Sequence, residues 1–172
     1  MNLNHKNKVK NKRDTNLRNF IFGVEDSLVS TVGLLAGVAA GGITRASIIT
    51  TGLVLIVVEG LSMGIGSFLT EETADEVNGD REKISQSIWG GIVMLFSYCL
   101  AGILPLAPYM FVEGDLAIAI SVTTSLLGLF LLGFGTSSFY KRPHAVRHGF
   151  KMLIMGGLAV FIGILVGKIS HF

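Results

Sequence analysis

Five apolar stretches, each about twenty residues long, run from Phe20 to Ile43, Ser47 to Thr70, Ser87 to Met110, Leu116 to Phe139 and Val146 to Ile169, and short polar connections part them. About that many residues cross the hydrocarbon core of a bilayer as a helix, which satisfies its own backbone N–H and C=O groups there. The expected fold is therefore all-α, a polytopic membrane protein with five transmembrane helices. Only 15% of the 172 residues are charged, against about 25% in soluble domains, which argues against a soluble enzyme. The expected division is a basic, disordered arm over residues 1–19 and a transmembrane domain over 20–170, with a short acidic loop at 71–86.

Lys and Arg are unevenly shared between alternate connections. Six lie in the arm (Lys6, Lys8, Lys10, Lys12, Arg13, Arg18), two in the second loop (Arg81, Lys83) and four around the fourth (Lys141, Arg142, Arg147, Lys151). The opposite side has only Arg45 and Lys168, with Glu113 and Asp115. The positive-inside rule then puts the N-terminus in the cytoplasm and the C-terminus outside. The arm can meet anionic headgroups, and without interleaved aromatic residues it is not expected to bind nucleic acid. No cleavable signal peptide is expected, because the apolar part after Phe20 outlasts an h-region and carries Glu25 and Asp26. Lys151 and Lys168 flank the fifth span and can snorkel outward, while Trp89, Tyr109 and Tyr140 fall near span ends, as interface anchors do. The lone Cys99 allows no intramolecular disulfide and is expected to pack as a small hydrophobe.

Glycines recur at helix-contact spacing: Gly33, Gly37 and Gly41 in the first span, Gly60 and Gly64 in the second, Gly163 and Gly167 in the fifth. Such small-xxx-small faces let helices approach closely, either inside a bundle or across a dimer interface.

Glu59 stands near the middle of the otherwise uncharged run Ala46–Thr70. A carboxylate near the midplane costs about 3 kcal/mol on insertion scales, so it normally faces a wet cavity or an ion pathway. Met63, one turn on, shares its face, and Glu59, Ser62, Met63, Gly66 and Thr70 are expected to form one stripe. In the first span Asp26, Ser30, Gly33 and Gly37 follow helical spacing. Asp26 reads as lining an ion path, or with Glu25 as acidic charge favoured at a helix N-terminus. Carboxylates joined by a thioether suit Fe²⁺, Mn²⁺ or a later transition metal better than Mg²⁺ or Ca²⁺. Beyond Thr70, Glu72, Asp75 and Glu76 are mutual helical neighbours, either a vestibule that gathers cations or a solvated helix end.

Two further patterns are set aside. Gly60-Leu61-Ser62-Met63-Gly64 fits G-x-S-x-G, but a nucleophile elbow needs a strand-to-helix turn, and this pentapeptide lies inside a helix. His144 and His148 have metal-binding spacing, yet Lys141, Arg142 and Arg147 beside them repel a cation.

Three segments resemble the vacuolar iron transporter family. Gly23 to Ser30 is similar to its D-G-L-V-S opening, Leu61 to Phe68 to its S-M-x-x-G-E-[FY], and Gly102 to Tyr109 to its proline-bearing third helix. The resemblance covers nearly all of residues 18–170. It implies five helices per protomer in a homodimer, a path near the two-fold axis, and Asp26 and Met63 as intramembrane metal-path residues. Departures are Ser27 for a usual glycine, Ser67 for the common glutamate, and Glu59 where a small residue is usual. The separate helical metal-binding domain of plant-type members is missing, leaving the acidic stub Glu71 to Glu76.

The expected function is transport of divalent transition-metal ions, Fe²⁺ and/or Mn²⁺, out of the cytoplasm by proton antiport. The expected metal residues are Asp26, Glu59, Met63, Glu72, Asp75 and Glu76, with no catalytic role, no resident cofactor, and a homodimer in the lipid bilayer as the assembly. Its membrane would be the plasma (inner) membrane of a prokaryote or a vacuolar-type membrane of a eukaryote. The alternative is a non-transporting scaffold or partner subunit, with Glu59 neutral and hydrogen-bonded inside the bundle.

Overall fold

The computed structural model describes residues 3–77, 84–140 and 143–170. It contains five helices, α1 (Leu3–Ala40), α2 (Arg45–Val77), α3 (Ile84–Phe111), α4 (Gly114–Phe139) and α5 (Ala145–Ile169), and no strand among the described residues. All five are long and apolar enough to cross a membrane. The Asn78-Gly79-Asp80 turn, Arg81, Lys83, Lys141 and Arg142 lie outside the described residues, as do the side chains of Lys6, Lys8, Lys10, Lys12 and Arg13.

Helix reaches into the arm expected to be disordered. The first helix begins at Leu3, because residues 3–19 hold neither Gly nor Pro and are rich in Lys, a good helix former. Helix α2 likewise outruns its apolar stretch and ends at Val77.

α1 is the central helix. It packs against all four others, while α2, α3, α4 and α5 follow one another around it in an arc. Among the described residues α2 and α5 do not touch, so the arc is open on one side. Antiparallel neighbours place the starts of α1, α3 and α5 and the ends of α2 and α4 at one membrane face, called here the N-terminal face.

The interior mixes apolar and hydroxyl side chains, while the exterior of the bundle is strongly apolar. Buried positions include Ser27, Thr31, Ser97, Ser121, Ser125 and Ser137, whereas Val54, Val57, Val58, Leu61 and Ile65 of α2 face outward. Lipid is as apolar as these side chains, so close backbone approach and polar contacts hold the helices together instead. The glycine faces serve this purpose within the chain. A Cβ at Gly163 would fall 2.0 Å from the Gly33 carbonyl oxygen, and one at Gly167 would fall 1.9 Å from that of Gly37. On α2, Gly60 packs on Cys99 and Gly64 on Gly91 and Leu95 of α3.

The end opposite the N-terminal face is clamped by Arg45. Its guanidinium donates to the Tyr109 carbonyl at 2.8 Å, to the Met110 carbonyl, and to Glu113 at 2.8 Å, tying the start of α2 to the last carbonyls of α3. Pro105 and Pro108 lie inside α3, and the Ser121 hydroxyl donates to the Pro105 carbonyl at 2.7 Å. That bond ties α4 to α3 across the bundle. Gly42 (φ 74) ends α1 and Gly114 (φ 66) opens α4, left-handed positions where glycine lacks the Cβ penalty.

Candidate functional site

Halfway across the bundle three helices meet in a polar cluster. Glu59 on α2 accepts a hydrogen bond from the Tyr98 hydroxyl on α3. With that proton committed, the Ser30 hydroxyl on α1 donates to the Tyr98 oxygen at 2.7 Å. Tyr98 is completely buried, so its phenol is a fixed strut between the two outer partners. Asp26, one turn before Ser30, lies within electrostatic reach of both Glu59 and Tyr98. Glu59 is about 20 Å along α2 from Arg45, deep within the apolar span.

A second cluster closes the N-terminal face. The buried amide of Asn19 donates to Ser67 at 2.9 Å and to the Glu71 carboxylate at 2.6 Å, and Ser67 donates to the same carboxylate oxygen at 3.4 Å. The Glu71 carboxylate lies against Gly90 of α3, where a Cβ would come within 2.5 Å of it. Thus Asn19 and Ser30 of α1 and Glu71, Ser67 and Glu59 of antiparallel α2 bound one track. Asp26 lies along it on α1 and Met63 on α2, about 12 Å of helix separating Ser67 from Glu59.

The expected α2 stripe is shifted. Glu59, Met63, Ser67 and Glu71 are half-buried, whereas Ser62, Gly66 and Thr70 are exposed. The buried face of α2 runs in steps of four (Ile48, Gly52, Ile56, Gly60, Gly64), and the polar stripe beside it keeps the same step. Asp26 and Glu25 part company, as consecutive helix residues must. Asp26 turns toward α2 and α3, while Glu25 lines a cavity with Tyr140, His148 and Lys151 at the ends of α4 and α5.

Of the acidic stub, Glu72 and Asp75 are half-buried and Glu76 is exposed. Among the described residues no three His, Cys, Asp or Glu side chains converge closely enough to hold a metal ion. The acid that folds inward is Glu71. Glu71, rather than Glu59, puts a carboxylate beside Ser67, the position of the family's usual glutamate.

Sequence reasoning missed Tyr98, Asn19 and Glu71. Tyr98 had a signal, since a tyrosine in mid-span rather than at a membrane interface needs a polar partner. Asn19 and Glu71 had none, because each gains meaning only from the other.

The VIT family profile matches residues 17–88 and 71–168. Among curated proteins, the chain is similar to vacuolar iron transporter homolog 2 of Oryza sativa subsp. japonica, 28% identical over 163 residues that cover 85% of this chain and 86% of the relative. It is also similar to vacuolar iron transporter homolog 3 of Arabidopsis thaliana, 29% identical over 178 residues that cover 93% and 88%. Homolog 1 of the same rice is 27% identical over 163 residues, covering 85% and 70%. With profile matches that together span nearly the whole transmembrane part, the chain belongs to the VIT family.

Proposed function

We propose that the protein is a metal-ion transporter that moves Fe²⁺ and/or Mn²⁺ out of the cytoplasm in exchange for protons. The observation that carries this reading is the Ser30–Tyr98–Glu59 cluster, with Asp26 beside it, halfway across five membrane-spanning helices. A scaffold has no use for two carboxylates at that depth, whereas a cation pathway does. The names of the rice and Arabidopsis relatives support the metal class, and the thioether of Met63 favours a transition metal over Mg²⁺ or Ca²⁺.

The chemistry follows from charge. Asp26 and Glu59 repel one another when both are bare in a low-dielectric interior, and either a divalent cation or protons relieves that repulsion. A metal arriving releases protons and protons arriving release the metal, which is the basis of antiport. Tyr98 donates to Glu59 and so aims one carboxylate oxygen, leaving the other for the cation. Glu72, Asp75 and Glu76 concentrate cations near the entrance, and Asn19, Ser67 and Glu71 form the inner constriction. With the N-terminal face cytoplasmic, as its basic residues favour, the direction is outward.

Among the described residues one protomer shows no full donor set, and a second copy would supply it. The open side of the arc exposes Phe22 and Leu34 of α1 in register with Asp26 and Ser30. A groove of about 710 Å³ beside it, walled by Val29, Leu34, Ile162 and Val166, offers an apolar seat. Two-fold pairing there would bring both sets of Asp26, Glu59 and Met63 toward one axis.

The deciding experiment is flux in proteoliposomes. Fe²⁺ or Mn²⁺ uptake driven by a pH gradient, coupled to counter-movement of protons, is expected. Absence of flux for both metals from verified folded protein would sink the proposal and favour the scaffold.

A further inference from the structure

The N-terminal end of α5 carries a feature that metal transport leaves unused. A cavity of about 620 Å³ there is lined by His144, Arg147, His148 and Lys151 above Ile154 and Met155. Arg147, His148 and Lys151 are helical neighbours on one face of α5, and His144 caps the helix beside them. Among the described residues neither Arg147 nor Lys151 forms an ion pair; the one pair found joins Arg45 to Glu113 at the other face. Glu25 lines the adjoining 280 Å³ cavity with His148 and Lys151. One carboxylate against two permanent cations leaves the region positive.

The wall below changes character within two turns. Phe150, Ile154 and Met155 are each more than half exposed, and α5 is the least buried of the five helices, so this wall faces hydrocarbon. From Arg147 to Ile154 the axis descends about 10 Å, the drop from a headgroup phosphate to the first acyl methylenes. A soluble anion would use the rim and leave the apolar wall without a role. A lipid acyl chain alone would leave the cations without one.

We propose that this cavity binds one anionic phospholipid, its phosphate held by Arg147 and Lys151 and its acyl chain lying along Phe150, Ile154 and Met155. Guanidinium and ammonium groups both pair with phosphate oxygens, and basic pockets at this depth select anionic headgroups. The site lies on α5, away from the Asp26–Glu59 track, and bound lipid would brace the α4–α5 end of the bundle.

The test uses the full chain carrying Phe150→Trp and Trp89→Phe, in mixed micelles with phosphatidylglycerol or phosphatidylcholine brominated on the acyl chain. Two basic contacts at about 1 kcal/mol each imply quenching by phosphatidylglycerol at roughly thirtyfold lower mole fraction than by phosphatidylcholine. Adding Arg147→Gln and Lys151→Gln is expected to erase that preference. Equal quenching by the two lipids, or a preference that survives both substitutions, would overturn the proposal. Competition by inorganic phosphate at millimolar concentration would overturn it in favour of a soluble anion. Should the substituted chain not fold, native mass spectrometry of the wild-type chain decides: a retained phosphatidylglycerol adduct supports the site, and adducts of both lipids in equal measure refute it.

Discussion

The phenol of Tyr98 fixes how Glu59 is presented. Its hydroxyl is held from one side by Ser30 and spends its proton on the carboxylate, so removing one oxygen frees Glu59 to rotate while the packing stays intact. Tyr98→Phe is expected to slow metal flux about tenfold, the loss of one charge-assisted hydrogen bond worth about 1.5 kcal/mol. Its thermal stability should fall little, since interhelical hydrogen bonds in membranes average about 0.6 kcal/mol. Glu59→Gln keeps the shape and an acceptor for Tyr98 but loses the charge. Flux should drop by more than about tenfold while the variant folds and assembles normally; unchanged flux would return Glu59 to a structural role. At this scale much was legible beforehand, because a lone carboxylate in an apolar run is conspicuous in any fold. The Asn19–Ser67–Glu71 contact was not, since its members are 48 and 52 residues apart in the chain.

α1 and α5 approach closely, and glycine is what permits it. A side chain at Gly163 meets the backbone of Gly33, and backbone cannot step aside as a flexible side chain can. Gly163→Val is expected to destabilise the protein by about 2 kcal/mol through overpacking, measured by denaturant titration in detergent. Gly157, six residues earlier on the same helix, has nothing within 4 Å of its would-be Cβ. Gly157→Ala should therefore change stability by less than about 0.5 kcal/mol. If the two substitutions cost the same, the close α1–α5 crossing is wrong. The spacing of these glycines announced a contact, but a small-xxx-small face reads the same inside a protomer as between two. That α5 is the partner follows from the arc of helices, not from the motif.

The whole molecule is a central helix in an incomplete ring, and the gap between α2 and α5 is its most consequential feature. Leu34 sits at that gap, partly exposed, on the same stripe of α1 as Asp26 and Ser30. If a second copy closes the ring there, Leu34→Cys in a Cys99→Ala background should crosslink in membranes with a short bifunctional reagent. Phe161→Cys, on the lipid side of α5, should not. The reverse pattern would place any dimer contact elsewhere and leave the one-protomer site without its expected partner.

By itself the amino-acid sequence determined that the chain spans a membrane five times, where each span lies, and that Glu59 and Asp26 are the costly groups within it. Hydrocarbon enforces all three locally, through helix length, backbone hydrogen bonding and the cost of charge. Tertiary structure decided which helix is central, that Glu71 rather than Glu59 stands beside Ser67, and that Tyr98 binds the mid-membrane carboxylate. Those outcomes depend on which faces of separate helices meet, and in a medium with no apolar preference among neighbours, only the fit of glycines and hydroxyls across helices selects them.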